Sequence, residues 1–273
     1  MTKTVVVTGT STGLGRAIAM EAHHRGWRVL ATVRKERDRG PLEAEGIETA
    51  LCDVTDAEST RAFAAEARTW CGGRLDCLVN NAGTAYPGPV EEQPLDDIRA
   101  QFEVNLFGQI AVTQQLCEVL RAARGRIVMV SSDSAAAAAP VIGAYAASKM
   151  ALEGFARAMD LELRPTGISV HVVRPGAFGT AIWDTSLERA EGYDESTSRY
   201  VALGEKAREF ALDPRRMGDP DDLARITVDL IGSRRPRFIT TFPRNPQNMA
   251  QGLVPWWVYR LGVALVLGGT AGR

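Results

Sequence analysis

Thr4-Val5-Val6-Val7-Thr8-Gly9-Thr10-Ser11-Thr12-Gly13-Leu14-Gly15 is the stretch on which the reading of this chain turns. A short apolar run ends in a turn with three glycines, and a helical pattern then runs from about 13 to 25 until Gly26 stops it. Strand, glycine turn and helix in that order make a phosphate cradle. The backbone can approach a pyrophosphate closely, and the anion sits at the positive end of the helix. The spacing is G-x-x-x-G-x-G rather than the commoner G-x-G-x-x-G. Gly9, Gly13 and Gly15, with Ser11, Thr12 and Leu14 in the same turn, are therefore candidate dinucleotide-binding residues.

Outward from this turn, apolar runs alternate with longer helical patterns. Strands are expected at about 4–8, 27–33, 47–51, 75–79, 126–130 and 168–173, with a seventh at 238–241. A helix is expected up to Trp70 after Asp53 and Asp56, two lie within 97–123, and one spans 144–164 before Pro165 and Gly167. The charged stretch 34–45 reads as a solvated loop and helix. Such alternation implies βαβ units, hence a parallel sheet with right-handed crossovers. The strands are near-continuous Val/Ile/Leu runs, as when helices cover both faces. The expected fold is α/β: a single-domain doubly wound parallel sheet, the Rossmann fold, with about seven strands flanked by helices. No internal repeat or linker interrupts residues 1–250, and 251–273 form an apolar C-terminal extension.

Composition closes off several function classes. The 273 residues hold 32 Lys plus Arg against 33 Asp plus Glu, a net charge of −1. The basic excess that nucleic-acid binding by phosphate neutralisation requires is missing, so no nucleic-acid partner is expected. Hydrophobic residues at 45% and charged residues at 24% are ordinary globular usage. Glycine, at 26 of 273, exceeds the average of about 7%. Cys52, Cys71, Cys77 and Cys117 show no C-x-x-C spacing, and His23 and His24 lie on a helix remote in sequence from them, so no metal site is expected. A chain of this length buries its own core without a disulfide framework. The first apolar run is too short for a signal-peptide core, which suits a cytoplasmic, reduced protein. The stretch 253–267, with Trp256, Trp257 and Tyr259, carries Arg260 near its middle and falls short of a spanning helix. It reads as a helix packed on the protein or a second subunit, as monotopic membrane contact, or as a lid over an apolar substrate.

Two further patterns carry chemistry. After the second strand the chain reads Ala31-Thr32-Val33-Arg34-Lys35, with no carboxylate before Glu36. An acidic residue there would hold a ribose 2′-hydroxyl, whereas an arginine accommodates a 2′-phosphate. Arg34 thus favours NADP(H), with the Thr12 hydroxyl as a helper. NAD(H) remains the alternative if both cations merely form a solvated surface cluster. Tyr145-Ala146-Ala147-Ser148-Lys149 puts a phenol and an ammonium on one helix face. A nearby ammonium favours the phenolate, so the pair can give a proton to an alcohol oxygen or take one from it. Ser132 lies at the carboxyl end of the fifth strand, where open α/β sheets bind ligands.

With these residues in place the chain resembles the short-chain dehydrogenase/reductase family of the single-domain type. The matching motifs run in the family's order through residues 4–180: Thr8-Gly9…Gly13-Leu14-Gly15, Asp53-Val54, Asn80-Asn81-Ala82-Gly83, Asn105, Ser132, Tyr145…Lys149 and Pro175-Gly176…Thr180. Ala31-Thr32-Val33-Arg34 and Ala151-Leu152-Glu153-Gly154-Phe155 further resemble its hydroxysteroid and retinol dehydrogenase branch. The resemblance implies that Asp53 and Val54 border the adenine, and that Asn80, Asn81, Ala82 and Gly83 line the cofactor and brace the central strand. It implies that Asn105 holds a water linking the lysine to solvent, and that Ser132, 13 residues before Tyr145, fixes the substrate oxygen. Tyr145 would be the general acid in reduction. Lys149 would bind the nicotinamide ribose and lower the tyrosine pKa. Pro175, Gly176 and Thr180 would close over the nicotinamide.

The resemblance also puts a substrate lid at about 181–217. Ile182, Trp183, Tyr193, Tyr200 and Phe210 there suit either a bulky apolar substrate or the core of the lid itself. Ala135 to Ala139 follow Ser132, and Pro140 and Gly143 favour a loop whose small side chains leave space beside the catalytic oxygen. The expected activity is NADP(H)-dependent interconversion of a ketone and a secondary alcohol, on a small-molecule substrate, by a homodimer or homotetramer. Two alternatives keep the fold: a redox sensor that regulates a partner, and a non-redox dehydratase or epimerase.

Overall fold

Val5, Val6 and Val7 are all fully buried, which a strand achieves only when both faces of its sheet are covered. A computed structural model describes residues 2–176, 178, 200–211, 217–243, 257–258 and 260–262. Its elements are β1 (Thr4–Val7), α1 (Gly13–His24), β2 (Arg28–Val33), α2 (Gly40–Glu43), β3 (Glu48–Leu51), α3 (Ala57–Trp70), β4 (Cys77–Asn80) and α4 (Leu95–Phe102). There follow α5 (Gln109–Ala123), β5 (Arg126–Val130), α6 (Gly143–Leu163), β6 (Ser169–Pro175), α7 (Val201–Ala211), α8 (Pro220–Gly232) and β7 (Ile239–Phe242). The seven strands form one sheet in the order β3-β2-β1-β4-β5-β6-β7, every neighbouring pair parallel. This is the doubly wound architecture expected from the alternation of runs.

Alternate strand residues feed two separate cores. Val6, Leu30, Leu78, Ile127 and Met129 pack with Phe63 of α3, Leu116 and Leu120 of α5 and Leu152 of α6. Val5, Val7, Val29, Val79, Val128 and Val130 pack with Ile18 and Ala22 of α1 and Leu223, Val228 and Ile231 of α8. The side-chain period of two divides each strand between the layers, so the sheet cannot slip register without exchanging its two cores. Helix starts are set locally. The Asp56 carboxylate accepts from the amides of Glu58 and Ser59 at 2.7 and 2.9 Å, and Asp219 accepts from Asp221 at 2.9 Å ahead of Pro220. Caps of this kind contribute about 0.5–2 kcal/mol each.

Three features differ from the sequence reading. The helices expected within 97–123 begin at Leu95, and α4 and α5 join through one π-helical turn, Glu103–Gly108, instead of a loop. Such turns insert a residue and re-aim side chains, often at functional sites. Helix α8 was not among the expected elements, although Asp219-Pro220-Asp221-Asp222 is a strong start signal. The seventh strand begins one residue later than expected. Of the expected lid, only 200–211 and 217 fall within the described residues, so Ile182, Trp183 and Tyr193 lie outside them, as does most of 253–267. Among the described residues, no helix is long and apolar enough to cross a membrane, and no group of three or more His, Cys, Asp and Glu could hold a metal ion.

Arg126 joins the two halves of the second core. From β5 its guanidinium donates to the carbonyls of Leu230 and Ile231 at 2.7 and 2.8 Å, and to that of Ser233, all at the end of α8. Arg126→Ala would orphan these carbonyls and is expected to lower unfolding free energy by about 1–3 kcal/mol, read from the denaturation midpoint. Arg126→Lys should recover only part, because an ammonium cannot span three acceptors as a planar fork does.

Candidate active site

Strand order reverses between β1 and β4, and ligands of open α/β sheets bind beyond the carboxyl ends of the strands at that point. Here the two strand ends are stitched together. The Asn81 side-chain amide donates to the carbonyls of Thr8 and Gly9, both at 3.0 Å. The Thr8 hydroxyl accepts from the amides of Asn81 and Ala82 at 2.9 and 3.0 Å. Gly9 has φ +68°, and a Cβ on it would lie 2.8 Å from the Ala82 Cα. A Cβ on Gly15 would lie 2.3 Å from both the Asn81 Nδ2 and the Gly9 carbonyl oxygen. Neither position admits a side chain, and that is what lets Asn81 reach across. Thr12 caps α1 without a side-chain bond, and the first turn of α1 holds no acidic residue. The amides of that turn are thus left to an anion. Ser11 and Leu14 lie in the same turn, with Gly13 at φ +60°.

Arg34 and Lys35 stand exposed directly after Val33, the last residue of β2. Among the described residues neither forms an ion pair, while the first carboxylate, Glu36, is held by Arg39 at 2.9 Å. Asp53 folds onto its own turn, accepting from the Thr55 amide and hydroxyl at 3.0 and 2.7 Å, beside the buried Val54. Asn80 is fully buried and donates to the Thr113 hydroxyl at 2.8 Å, so it braces the sheet rather than facing the cleft. The glycine turn thus fits the pyrophosphate of a dinucleotide, and two cations, unpaired among the described residues, stand at the end of β2.

The π-helical turn sets Asn105 opposite α6. Its side chain accepts from the Thr84 amide at 2.8 Å, and donates to the Thr84 carbonyl at 2.8 Å and the Ser148 hydroxyl at 3.0 Å. A Cβ on Gly83 would be 3.3 Å from the Asn105 Oδ1 and 3.5 Å from the Lys149 Nζ, so the three positions adjoin. The buried Lys149 ammonium donates to the Val130 carbonyl at 2.9 Å and lies 5.9 Å from the Tyr145 ring centre. Burial pulls its pKa down to about 8. The Ser132 hydroxyl stands near enough to the Tyr145 phenol to act on its acidity. The phenol is pushed up to about 12, by burial first and by the Asp133 charge, with the Ser132 hydroxyl opposing. Desolvation favours the neutral phenol, and the ammonium is directed to a backbone carbonyl. The Gly176 amide donates to the Phe242 carbonyl at 2.8 Å just beyond Pro175, the last residue of β6. Thr180 lies outside the described residues.

Four residues beside this cluster were not singled out from the sequence. The Arg174 guanidinium grips the Glu153 carboxylate with two bonds of 2.6 and 2.5 Å, and the Ser131 hydroxyl donates to the same carboxylate at 2.9 Å. The network ties α6 to the carboxyl ends of β5 and β6. Glu153 is one turn past Lys149, on the same helix face, which was the available clue. Asp133 directly follows Ser132, whose hydroxyl donates to its Oδ1 at 3.3 Å, and burial holds its carboxyl above the ordinary range.

A family model described as short chain dehydrogenase matches residues 3–191. The uncharacterized oxidoreductase YusZ of Bacillus subtilis is 34% identical over 238 residues, 84% of each chain. The NADPH-dependent 3-dehydrocapnine reductase of Ornithobacterium rhinotracheale is 32% identical over 70% of this chain and 71% of its own. The 3-amino-tetrahydro-pyrrolizinone reductase of Xenorhabdus hominickii is 32% identical over 78% of this chain and 70% of its own. Among solved structures, a short-chain dehydrogenase from Streptomyces avermitilis superposes with a TM-score of 0.80 and 27% identity, covering 97% of this chain and 96% of that one.

The buried pair of Glu153 and Arg174 makes a separable prediction. Glu153→Gln leaves a guanidinium without its counter-charge and should destabilise the protein by about 3–5 kcal/mol in chemical denaturation. Replacing both partners with apolar residues of similar volume should restore most of that loss, since the desolvation cost goes with the charges.

Proposed function

The chain belongs to the short-chain dehydrogenase/reductase family of oxidoreductases, and from that premise we propose that it interconverts a ketone and a secondary alcohol with NADP(H), using Tyr145 as general acid and base. The observation that carries this reading is the juxtaposition of the Ser132 hydroxyl and the Tyr145 phenol on the side of α6 that also carries the buried Lys149, 5.9 Å from the phenol ring centre. Two hydroxyls that converge at one point can grip a carbonyl oxygen and deliver a proton to it.

When bound, the nicotinamide supplies or takes up the hydride. The chain's own groups do the rest. Gly9, Ser11, Thr12, Gly13, Leu14 and Gly15 hold the pyrophosphate at the α1 amides. Arg34 and Lys35, unpaired among the described residues, receive the 2′-phosphate. Asp53 and Val54 border the adenine, and Asn81, Ala82 and Gly83 floor the cleft. Pro175, Gly176 and Thr180 close the nicotinamide end. Ser132 fixes the substrate oxygen. Tyr145, with its pKa pushed up to about 12, stays protonated at neutral pH, as an acid for reduction must. Lys149 binds the ribose and, still largely charged at pH 7 with a pKa near 8, stabilises the phenolate that proton transfer leaves. Asn105 is a positioning residue that holds Ser148 and the Thr84 backbone beside the lysine.

Ala135 to Ala139 form a half-buried loop after Ser132, leaving room for a bulky apolar substrate. Phe107 in the π-helical turn before α5, and Phe155 and Leu161 on α6, are exposed and suit a homodimer or homotetramer. The relative named an NADPH-dependent 3-dehydrocapnine reductase supports the cofactor choice, and the reductase names of both relatives support the direction of carbonyl reduction.

Tyr145→Phe should cut kcat by about 10²–10⁴-fold while NADPH, followed by its fluorescence, still binds. Arg34→Glu should lower the kcat/KM preference for NADPH over NADH by about ten- to a hundredfold, because a charge-assisted phosphate contact is lost and replaced by repulsion.

A further inference from the structure

Asp133 is a charged side chain at the reacting end of the cleft that proton and hydride transfer do not need. The Ser132 hydroxyl donates to its Oδ1 at 3.3 Å, and its charge acts on the Tyr145 phenol. The backbone fixes it there. Ser132 caps the short 3-10 turn Asp133–Ala135, and the Ser134 amide donates back to the Ser132 hydroxyl at 3.2 Å. The cation beside it is Arg174, whose bidentate grip is already taken by Glu153. Lys149 directs its ammonium to the Val130 carbonyl. From Ser131 to Gly143 the loop carries no basic residue, and Ala135 to Ala139 are all small. Among the described residues, two carboxylates, Asp133 and Glu153, thus share one guanidinium next to the hydroxyls that would grip the substrate oxygen.

We propose that the Asp133 carboxylate is a substrate subsite for an ammonium group borne on the carbon next to the reacting carbonyl, which makes the substrate class an amino ketone and the product an amino alcohol. The proposal rests on the carbonyl reduction proposed above. In such a ketone the nitrogen and the carbonyl oxygen sit on adjacent carbons. With the oxygen on Ser132 and Tyr145, the nitrogen reaches the carboxylate bonded to Ser132. An ammonium–carboxylate bond is about twice as strong as a neutral one, and more so where water is excluded. It also offsets the cost of burying Asp133, the cost that raises the pKa of its carboxyl. Neutralising Asp133 removes the charge that makes the Tyr145 phenol a weaker acid, so the same contact aids binding and proton transfer. An anionic substituent at that carbon would be repelled.

The test compares 2-aminooctan-3-one with octan-3-one as substrates with NADPH. It also compares calorimetric binding of the unreactive product pair, 2-aminooctan-3-ol and octan-3-ol, to the NADPH-saturated protein. The wild type should favour the amino compound on the order of tenfold or more in both kcat/KM and Kd, and Asp133→Asn should bring both ratios close to one. The wild-type comparison needs no variant to fold. If octan-3-one is reduced but the wild type shows no amino preference, or Asp133→Asn keeps that preference, this inference is overturned and the carbonyl reduction stands. If neither ketone is reduced, the proposed function falls. The calorimetric ratio still decides the subsite: no preference for the amino alcohol overturns it.

Discussion

The turn after β1 and the end of β4 are held in close contact, where Asn81 bonds to the carbonyls of Thr8 and Gly9. Everything in the cleft is positioned from that contact. It requires that Gly9 and Gly15 carry no side chain, because a Cβ on either would collide with Ala82, Asn81 or the opposing backbone. It joins strands that are neighbours in space but separated by three crossovers in sequence, so it forms only once β1 and β4 lie side by side. Its consequence is an α1 N-terminus with unclaimed amides, pointed at the carboxyl edge of the sheet.

The catalytic side is held by a different kind of bond. Helix α6 brings Tyr145, Ser148, Lys149 and Glu153 to one face, and each is fixed by a group from another element: Ser132, Asn105, the Val130 carbonyl and Arg174. Buried charges are costly, and here the cost is met by pairing or by hydrogen bonds. The exception in degree is Asp133, which among the described residues faces a guanidinium that already serves Glu153. Its negative charge also raises the pKa of the Tyr145 phenol.

Legibility in the sequence followed the range of the interactions involved. The strands of the sheet and helices α1, α3 and α6 were readable because each is a local pattern: apolar runs of fixed length, glycine stops, an Asp before a helical period. Tyr145 and Lys149 were readable because helical geometry alone places them on one face. Helix α8 could have been read from Asp219-Pro220 and was not, while the π-helical turn at Asn105 had no local signature, being a one-residue insertion within a continuous helical pattern.

What the sequence by itself determined is the layering, the glycine cradle and the placing of Tyr145 and Lys149 on one helix face, since these depend on spacing along the chain. What only the tertiary structure decided is the electrostatics. The pairing of Glu153 with Arg174 joins residues 21 apart on different elements, and Ser131 reaches the same carboxylate from a third. Whether Lys149 lowers the Tyr145 pKa depends on where its ammonium points and how much water surrounds both groups, and the fold directs it to Val130 and removes the water. Spacing places atoms along one element, but charge states depend on every dipole and ion brought near from others, and those are set only when the chain closes.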